Sequence, residues 1–125
     1  MSNVPSNLQY SKEHEWVESL GVNRCRIGIT DYAQGALGDI VYVQLPKVGD
    51  DLSEGAVCGE IESTKSVSEL FSPVTGKVVA VNSQLDSAPE TLNGDPYGAG
   101  WIAEVEISAP SKDLMDAAGY SALIG

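Results

Sequence analysis

The sequence predicts a mostly β fold, a small antiparallel barrel or sandwich with short peripheral helices. Three observations carry this reading. Apolar residues recur at the strand period of two in several short runs. Turn residues interrupt the chain at roughly ten-residue intervals. Helical signals are few and brief.

The elements follow in order. Arg24 to Ile29 is a short strand candidate. Thr30 can cap a helix over Asp31 to Leu37, stopped by Gly38. Asp39 to Leu45 reads as a strand with Val41, Val43 and Leu45 on one face, until Pro46, Gly49 and Asp50 turn the chain. Val57, Gly59 and Ile61 alternate with Cys58, Glu60 and Glu62. Val67, Glu69 and Phe71 alternate with Ser68 and Leu70. After a turn at Pro73 to Gly76, Lys77 to Val81 is a β-branched run. Ser87 or Ala88 opens a short turn through Pro89, Glu90 and Leu92 that ends at Asn93-Gly94. In Trp101 to Ile107, Ala103, Val105 and Ile107 share a face, so Glu104 and Glu106 are expected to point to water. Ser111 is read as the cap of a last helix over Lys112 to Ala118, with Gly119 past its end.

At 125 residues the chain fits a single domain, 1–125, able to bury a core without metal or disulfide staples. Seven Lys and Arg oppose 18 Asp and Glu, for a formal net charge of -11. Such a surface repels phosphate backbones and anionic lipid, so neither nucleic acid nor membrane is expected as a partner. The acidity serves solubility or steers basic partner proteins. Cys25 and Cys58 lie in apolar-patterned stretches and read as free thiols. The segment MSNVPSNLQY lacks the basic and apolar regions of a secretion signal and is not rich in Arg, and no apolar run reaches membrane-spanning length. Cytoplasm is the expected compartment, and a mature organellar protein would read the same.

Catalytic equipment is sparse. His14 is the one histidine, which rules out a multi-histidine metal site. Beside Glu13 and Glu15 it reads as a surface or packing group rather than a base. The glycines of GDPYGAG, Gly94 to Gly100, have the wrong spacing for a dinucleotide fingerprint, and no G-x-S-x-G elbow occurs. The chain therefore reads as something other than an enzyme.

The most informative stretch is Gly59 to Asn82. Two alternating strand patterns flank the polar centre Ser63-Thr64-Lys65-Ser66. That places Lys65 at a hairpin tip, where a long flexible stem could extend the reach of an attached acyl group. A lysine at a hairpin turn is commonly just solvated, so spacing alone assigns it no role.

The segment ESTKSVSELFSPVTGKVVAVN, Glu62 to Asn82, resembles the lipoylation hairpin of glycine cleavage H proteins. EHEWV (Glu13 to Val17), GITDYAQ (Gly28 to Gln34), LGDIVYVQLPKVG (Leu37 to Gly49) and PETLNGDPYGAGWI (Pro89 to Ile102) match the same family in order and with similar spacing. Two departures stand out: Thr64 where valine is usual, and Ser66-Val67 in place of a common small-residue pair. Both keep the tip small or β-branched. Biotin carriers, with methionines flanking the lysine, fit less well, because the methionines here are Met1 and Met115. Lipoyl domains of 2-oxoacid dehydrogenases, with a D-K-A tip and a Pro/Ala-rich linker, also fit less well.

The resemblance implies a barrel-sandwich hybrid like those of lipoyl and biotinyl carriers, with short peripheral helices and a C-terminal helix. It implies lipoate covalently attached to Lys65 as N6-lipoyllysine. It further implies a shuttle that accepts an aminomethyl group from glycine decarboxylase (P protein) and presents it to aminomethyltransferase (T protein). Dihydrolipoyl dehydrogenase (L protein) then reoxidises the arm, and a lipoyl ligase or transferase installs it. Such a shuttle is expected to be monomeric. Two alternatives need to be kept: a relay that donates lipoyl or octanoyl groups to other complexes, which uses the same Lys65, and an unmodified interaction module. A loaded arm would gain from a pocket of carboxylates that excludes water. Glu15, Glu69 and Asp31 are the candidates, with Trp16 as a wall, although each acid could equally be a solvated surface group.

Overall fold

A computed structural model describes residues 3–125; the first two positions of the segment read as free of a secretion signal lie outside the described residues. Nine strands and four helices are present among them. β1 (Gln9–Tyr10), β2 (Glu15–Gly21), β3 (Arg24–Ile29), β5 (Asp51–Leu52), β8 (Thr75–Val81) and β9 (Ala103–Ala109) form one sheet in the order β1-β2-β3-β9-β8-β5. β4 (Ile40–Gln44), β6 (Val57–Ser63) and β7 (Val67–Phe71) form a second sheet in the order β4-β6-β7. Every pairing is antiparallel. The helices are α1 (Asp31–Leu37), α2 (Gln84–Ser87), α3 (Thr91–Gly94) and α4 (Ala117–Ile124). The mostly β fold with peripheral helices and a C-terminal helix is the one the sequence predicts.

The main core joins residues of both sheets: Val17, Ile27 and Ile29 with Val78 and Val105 from the larger, Val43, Ile61 and Leu70 from the smaller. A second cluster of Leu8, Tyr10, Trp16 and Tyr120 ties α4 to the first two strands. β2 therefore buries both faces at once, Val17 into one cluster and Trp16 into the other. This explains why it lacks the period-two alternation that marks a half-buried strand and escapes a pattern search. The β2–β3 hairpin turns through Gly21 and Asn23, both at positive φ (133° and 60°).

The fold corrects four expectations. Val41 is 52% exposed, whereas Ile40 and Val43 are buried. A bulge between Ile40 and Tyr42 shifts the register, so Val41, Val43 and Leu45 do not share one face. The last helix begins at Ala117, capped by Asp116 accepting from Gly119 N, rather than at Lys112 under Ser111. The Glu54 carboxylate takes the main-chain N–H groups of Lys112 and Asp113, and Met115 bridges to Tyr10, so this segment bends without forming a helix and Gly119 falls inside the helix that follows. The single turn expected near Pro89 is two, α2 and α3, separated by Ala88 to Glu90. Glu106 is exposed as expected, but Glu104 is drawn in to pair with Arg26 at 2.8 Å. Cys25 and Cys58 are free, as read.

Gly28 of β3 lies opposite Trp16. A Cβ there would fall 2.6 Å from the indole ring, so only glycine lets the ring lie across the strand. Gly28→Ala is expected to cost about 2–3 kcal/mol, read as a lower urea midpoint at unchanged slope.

Candidate functional site

β6 and β7 form the hairpin that presents Lys65. Ser63 N–H donates to Ser66 O at 2.8 Å and closes the tip. Ser63 Oγ accepts from the main-chain N–H groups of Lys65 and Ser66 at 3.2 and 3.1 Å, a local serine turn that sets the loop's shape. Thr64 N–H donates to Asp39 O at 3.0 Å, tying the tip to the chain just past α1. Asn93 braces the same segment, donating to Gly38 O and accepting from Ile40 N, each at 2.9 Å. Lys65 itself is exposed.

The start of that arm is directed. Gly38 stops α1 at φ 83°, and a Cβ at this position would stand 3.1 Å from Lys65 Cε. The glycine thus supplies both the left-handed backbone and the space along which the lysine stem lies.

Beside Leu37, the last residue of α1, a groove of about 310 Å³ opens between α1 and the β7 side of the smaller sheet. Ile29, Leu37, Ile61 and Leu70 give it an apolar lining. Glu13, Glu15 and Glu69 supply its acids, and no Lys or Arg lines it among the described residues. Glu15 is 3% exposed. Burial pushes its carboxyl up to about 8; a hydrogen bond from Ser11 draws it down, nearby Glu13 adds to the rise, and the Phe71 main chain draws it down further. Glu69 faces the groove from β7 and is exposed.

The wall between Glu13 and Glu15 is His14, held at φ 73°. Its Nδ1 shares a 2.9 Å hydrogen bond with Tyr120 OH, which in turn lies 2.7 Å from Thr30 Oγ1. The ring packs on Tyr32 at a centroid distance of 4.8 Å. Burial lowers the His14 pKa, with Glu13 opposing. His14 is thus a packing group, as the sequence reading had it.

A family model for the glycine cleavage H-protein matches residues 8–124. The chain belongs to the glycine cleavage H-protein family. Its relatives in this family include the glycine cleavage system H protein of Mycolicibacterium smegmatis, 54% identical over 129 residues that span 99% of this chain and 98% of that protein. The H protein of Beutenbergia cavernae is 58% identical, covering 96% of this chain and 95% of its own. The crystal structure of an H protein from Mycobacterium marinum superposes with a TM-score of 0.91 at 42% identity, covering 98% of this chain and 99% of that one.

Of the residues singled out within this H-protein sequence, the fold brings Glu15 and Glu69 to one groove and sets the Lys65 stem near its edge. It does not bring Trp16 or Asp31 there. Trp16 is fully buried on the other side of β2, its indole N–H donating to Pro96 O at 2.9 Å. It forms no wall because neighbouring residues on a strand face opposite ways, so Glu15 at the groove sends Trp16 to the far face. Asp31 caps its own surroundings, accepting from Gln34 Nε2 at 2.7 Å and from Asn3 N at 2.9 Å. Sequence reasoning overlooked Ser11, Gly38 and the apolar lining from α1. Gly38 was read only as a helix stop; its contact with Lys65 spans 27 positions and has no local signal.

Proposed function

We propose that this chain is a lipoyl-carrying shuttle of the glycine cleavage system, with lipoate in amide linkage to Lys65 Nζ. The observation that carries this is the juxtaposition of an exposed hairpin lysine with an apolar groove that ends in carboxylates. The hairpin fits the group: Lys65 is open to a modifying enzyme, and its stem lies along Gly38, the chain neighbour of groove-lining Leu37. When bound, lipoate supplies a cyclic disulfide that opens by attack at sulfur.

The chain's own residues anchor, orient and shield. Ile29, Leu37, Ile61 and Leu70 suit a hydrocarbon arm. Glu15 and Glu69 suit a cationic aminomethyl cargo at its end, and the low dielectric around Glu15 strengthens that attraction. On this reading the protein is a carrier rather than a catalyst. It works as a single monomeric unit in the cytoplasm, and no described helix is long and apolar enough to cross a membrane. Its partners are glycine decarboxylase, aminomethyltransferase, dihydrolipoyl dehydrogenase and a lipoyl ligase or transferase. The net charge of -11 favours basic docking faces on them. A relay that only hands its acyl group onward has no use for an acidic groove, which favours the shuttle.

Reconstitution tests this. Glycine-dependent NAD reduction by the three enzymes should rise saturably with the lipoylated chain and be absent with the unmodified one. Lipoyl transfer to other complexes without any glycine-dependent reduction would overturn the shuttle in favour of the relay.

A further inference from the structure

The Glu15 carboxyl is buried beside the groove, and one side chain hydrogen-bonds it: Ser11 Oγ donates to Glu15 Oε1 at 2.5 Å. The two residues are clamped from both directions. Ser11 N–H donates to Glu15 O at 2.9 Å, and Glu15 N–H donates to Ser11 Oγ at 3.0 Å. His14 N–H closes the loop onto Ser11 O at 3.1 Å, at the expense of a left-handed backbone at His14. Ser11 Oγ also lies 3.4 Å from Glu15 O. The hydroxyl therefore has two acceptors. It can donate to the carboxylate when Glu15 is ionised. When Glu15 is protonated, the hydroxyl can turn its own hydrogen to the main-chain oxygen and accept a hydrogen bond from the acid's O–H. Ser11 is 5% exposed and lines a second cavity of about 300 Å³ with Lys12, Glu54 and Asp113, and Glu13 lines both this cavity and the groove.

We infer that Ser11 is a positioning residue of the groove: its hydroxyl donates to the Glu15 carboxyl, favours the ionised form and so sets the pH range over which the groove retains a cationic cargo. The inference rests on the groove reading above and deepens it. Ionised Glu15 attracts the cargo's ammonium; neutral Glu15 does not. At near-neutral pH docking is therefore linked to release of the Glu15 proton. The groups facing Glu15 fall into two sets. Glu13 is an acid that opposes its ionisation, as would charge on Cys58, whose thiol burial pushes up to about 12 and so keeps neutral; Glu69 is the other acid of the groove. His14, whose pKa burial lowers, and Tyr120, whose pKa burial raises, face it uncharged near pH 7, and the Tyr32 ring lines the same groove. Lys12 is the cation that lines the second cavity. Among all of these, Ser11 is the side chain that donates a hydrogen bond to the carboxylate and favours its charged form.

The test compares Ser11→Ala with Ser11→Thr, which restores a hydroxyl. The first readout is the titration of Glu15 in the unmodified full chain, followed by the carbon-13 shift of its carboxyl. The second is the rate of aminomethyl loss against pH from lipoylated chain loaded by glycine decarboxylase and glycine, then separated from the enzyme. Ser11→Ala should raise the Glu15 midpoint by about one pH unit, move the pH dependence of cargo loss upward equally, and Ser11→Thr should restore both. A midpoint that stays or falls in Ser11→Ala overturns the role of Ser11, because a merely structural serine would alter unfolding without moving that titration. A midpoint that rises while cargo loss keeps its pH profile overturns the groove reading itself, and the inference with it.

Discussion

Lys65→Arg is expected to abolish lipoylation and to reduce glycine-dependent NAD reduction in the reconstituted system to its level without this chain. Arginine keeps the charge and the length of the stem, but its guanidinium does not form the acyl amide that a carrier needs. The fold should not notice. Lys65 is exposed and makes no ion pair among the described residues, where the pair present is Arg26–Glu104. Stability should therefore change by no more than about 0.5 kcal/mol. The separation is the point: activity falls to background while the unfolding midpoint stays. Four other lysines, Lys12, Lys47, Lys77 and Lys112, remain available in that variant. Activity surviving in Lys65→Arg would move the anchor to one of them.

Glu15→Gln is expected to show the second large effect, in two independent ways. Burial raises the Glu15 carboxyl from 4.5 to about 8, so the folded chain holds this proton more tightly than the unfolded chain. A raised folded value means that the stabilising contribution is full below about 4.5 and is lost as pH rises through about 8. Wild-type stability should thus decline relative to Glu15→Gln across that window, by up to about 5 kcal/mol. Glutamine keeps the shape and the neutral charge of the protonated acid, so the variant should match wild type at pH 5 and exceed it at pH 9. Parallel denaturation curves at both ends would show that Glu15 is not the buried acid described. The functional consequence runs the other way. Loaded Glu15→Gln protein should lose its aminomethyl cargo roughly tenfold faster at pH 8, since an uncompensated ammonium in the groove forfeits a charge-assisted contact. The loss should also no longer quicken as pH falls through the Glu15 range.

The two effects differ in how legible they are in the sequence. Lys65 stands out locally, because period-two patterns on either side of Ser63-Thr64-Lys65-Ser66 announce a hairpin and a hairpin has one tip. α1 was equally plain, since Thr30, Asp31 and Gly38 are cap, first-turn acid and stop within nine positions. Glu15 was nameable as a candidate only through its place in EHEWV. Its burial depends on β2 lying between two apolar clusters, a fact set by distant strands rather than by its neighbours. Ser11 had no signal at all, because a buried serine that serves a carboxyl looks like any turn serine until the loop closes on itself. The Trp16 and Asp31 expectations failed for a related reason: adjacency in sequence on a strand means opposite faces, and an acid in a helix's first turn finds local donors. The C-terminal helix was misplaced because long-range partners, Glu54 and Tyr10, claim the preceding backbone.

The most direct measurement is the mass of the Lys65 peptide after the full chain is incubated with lipoate, ATP and a lipoyl ligase, then digested. One lipoyl adduct on the peptide that contains Lys65, and none on peptides that contain Lys12, Lys47, Lys77 or Lys112, is the predicted result. An unmodified Lys65 peptide under conditions that lipoylate a relative's H protein, or an adduct on a different lysine, would contradict the account.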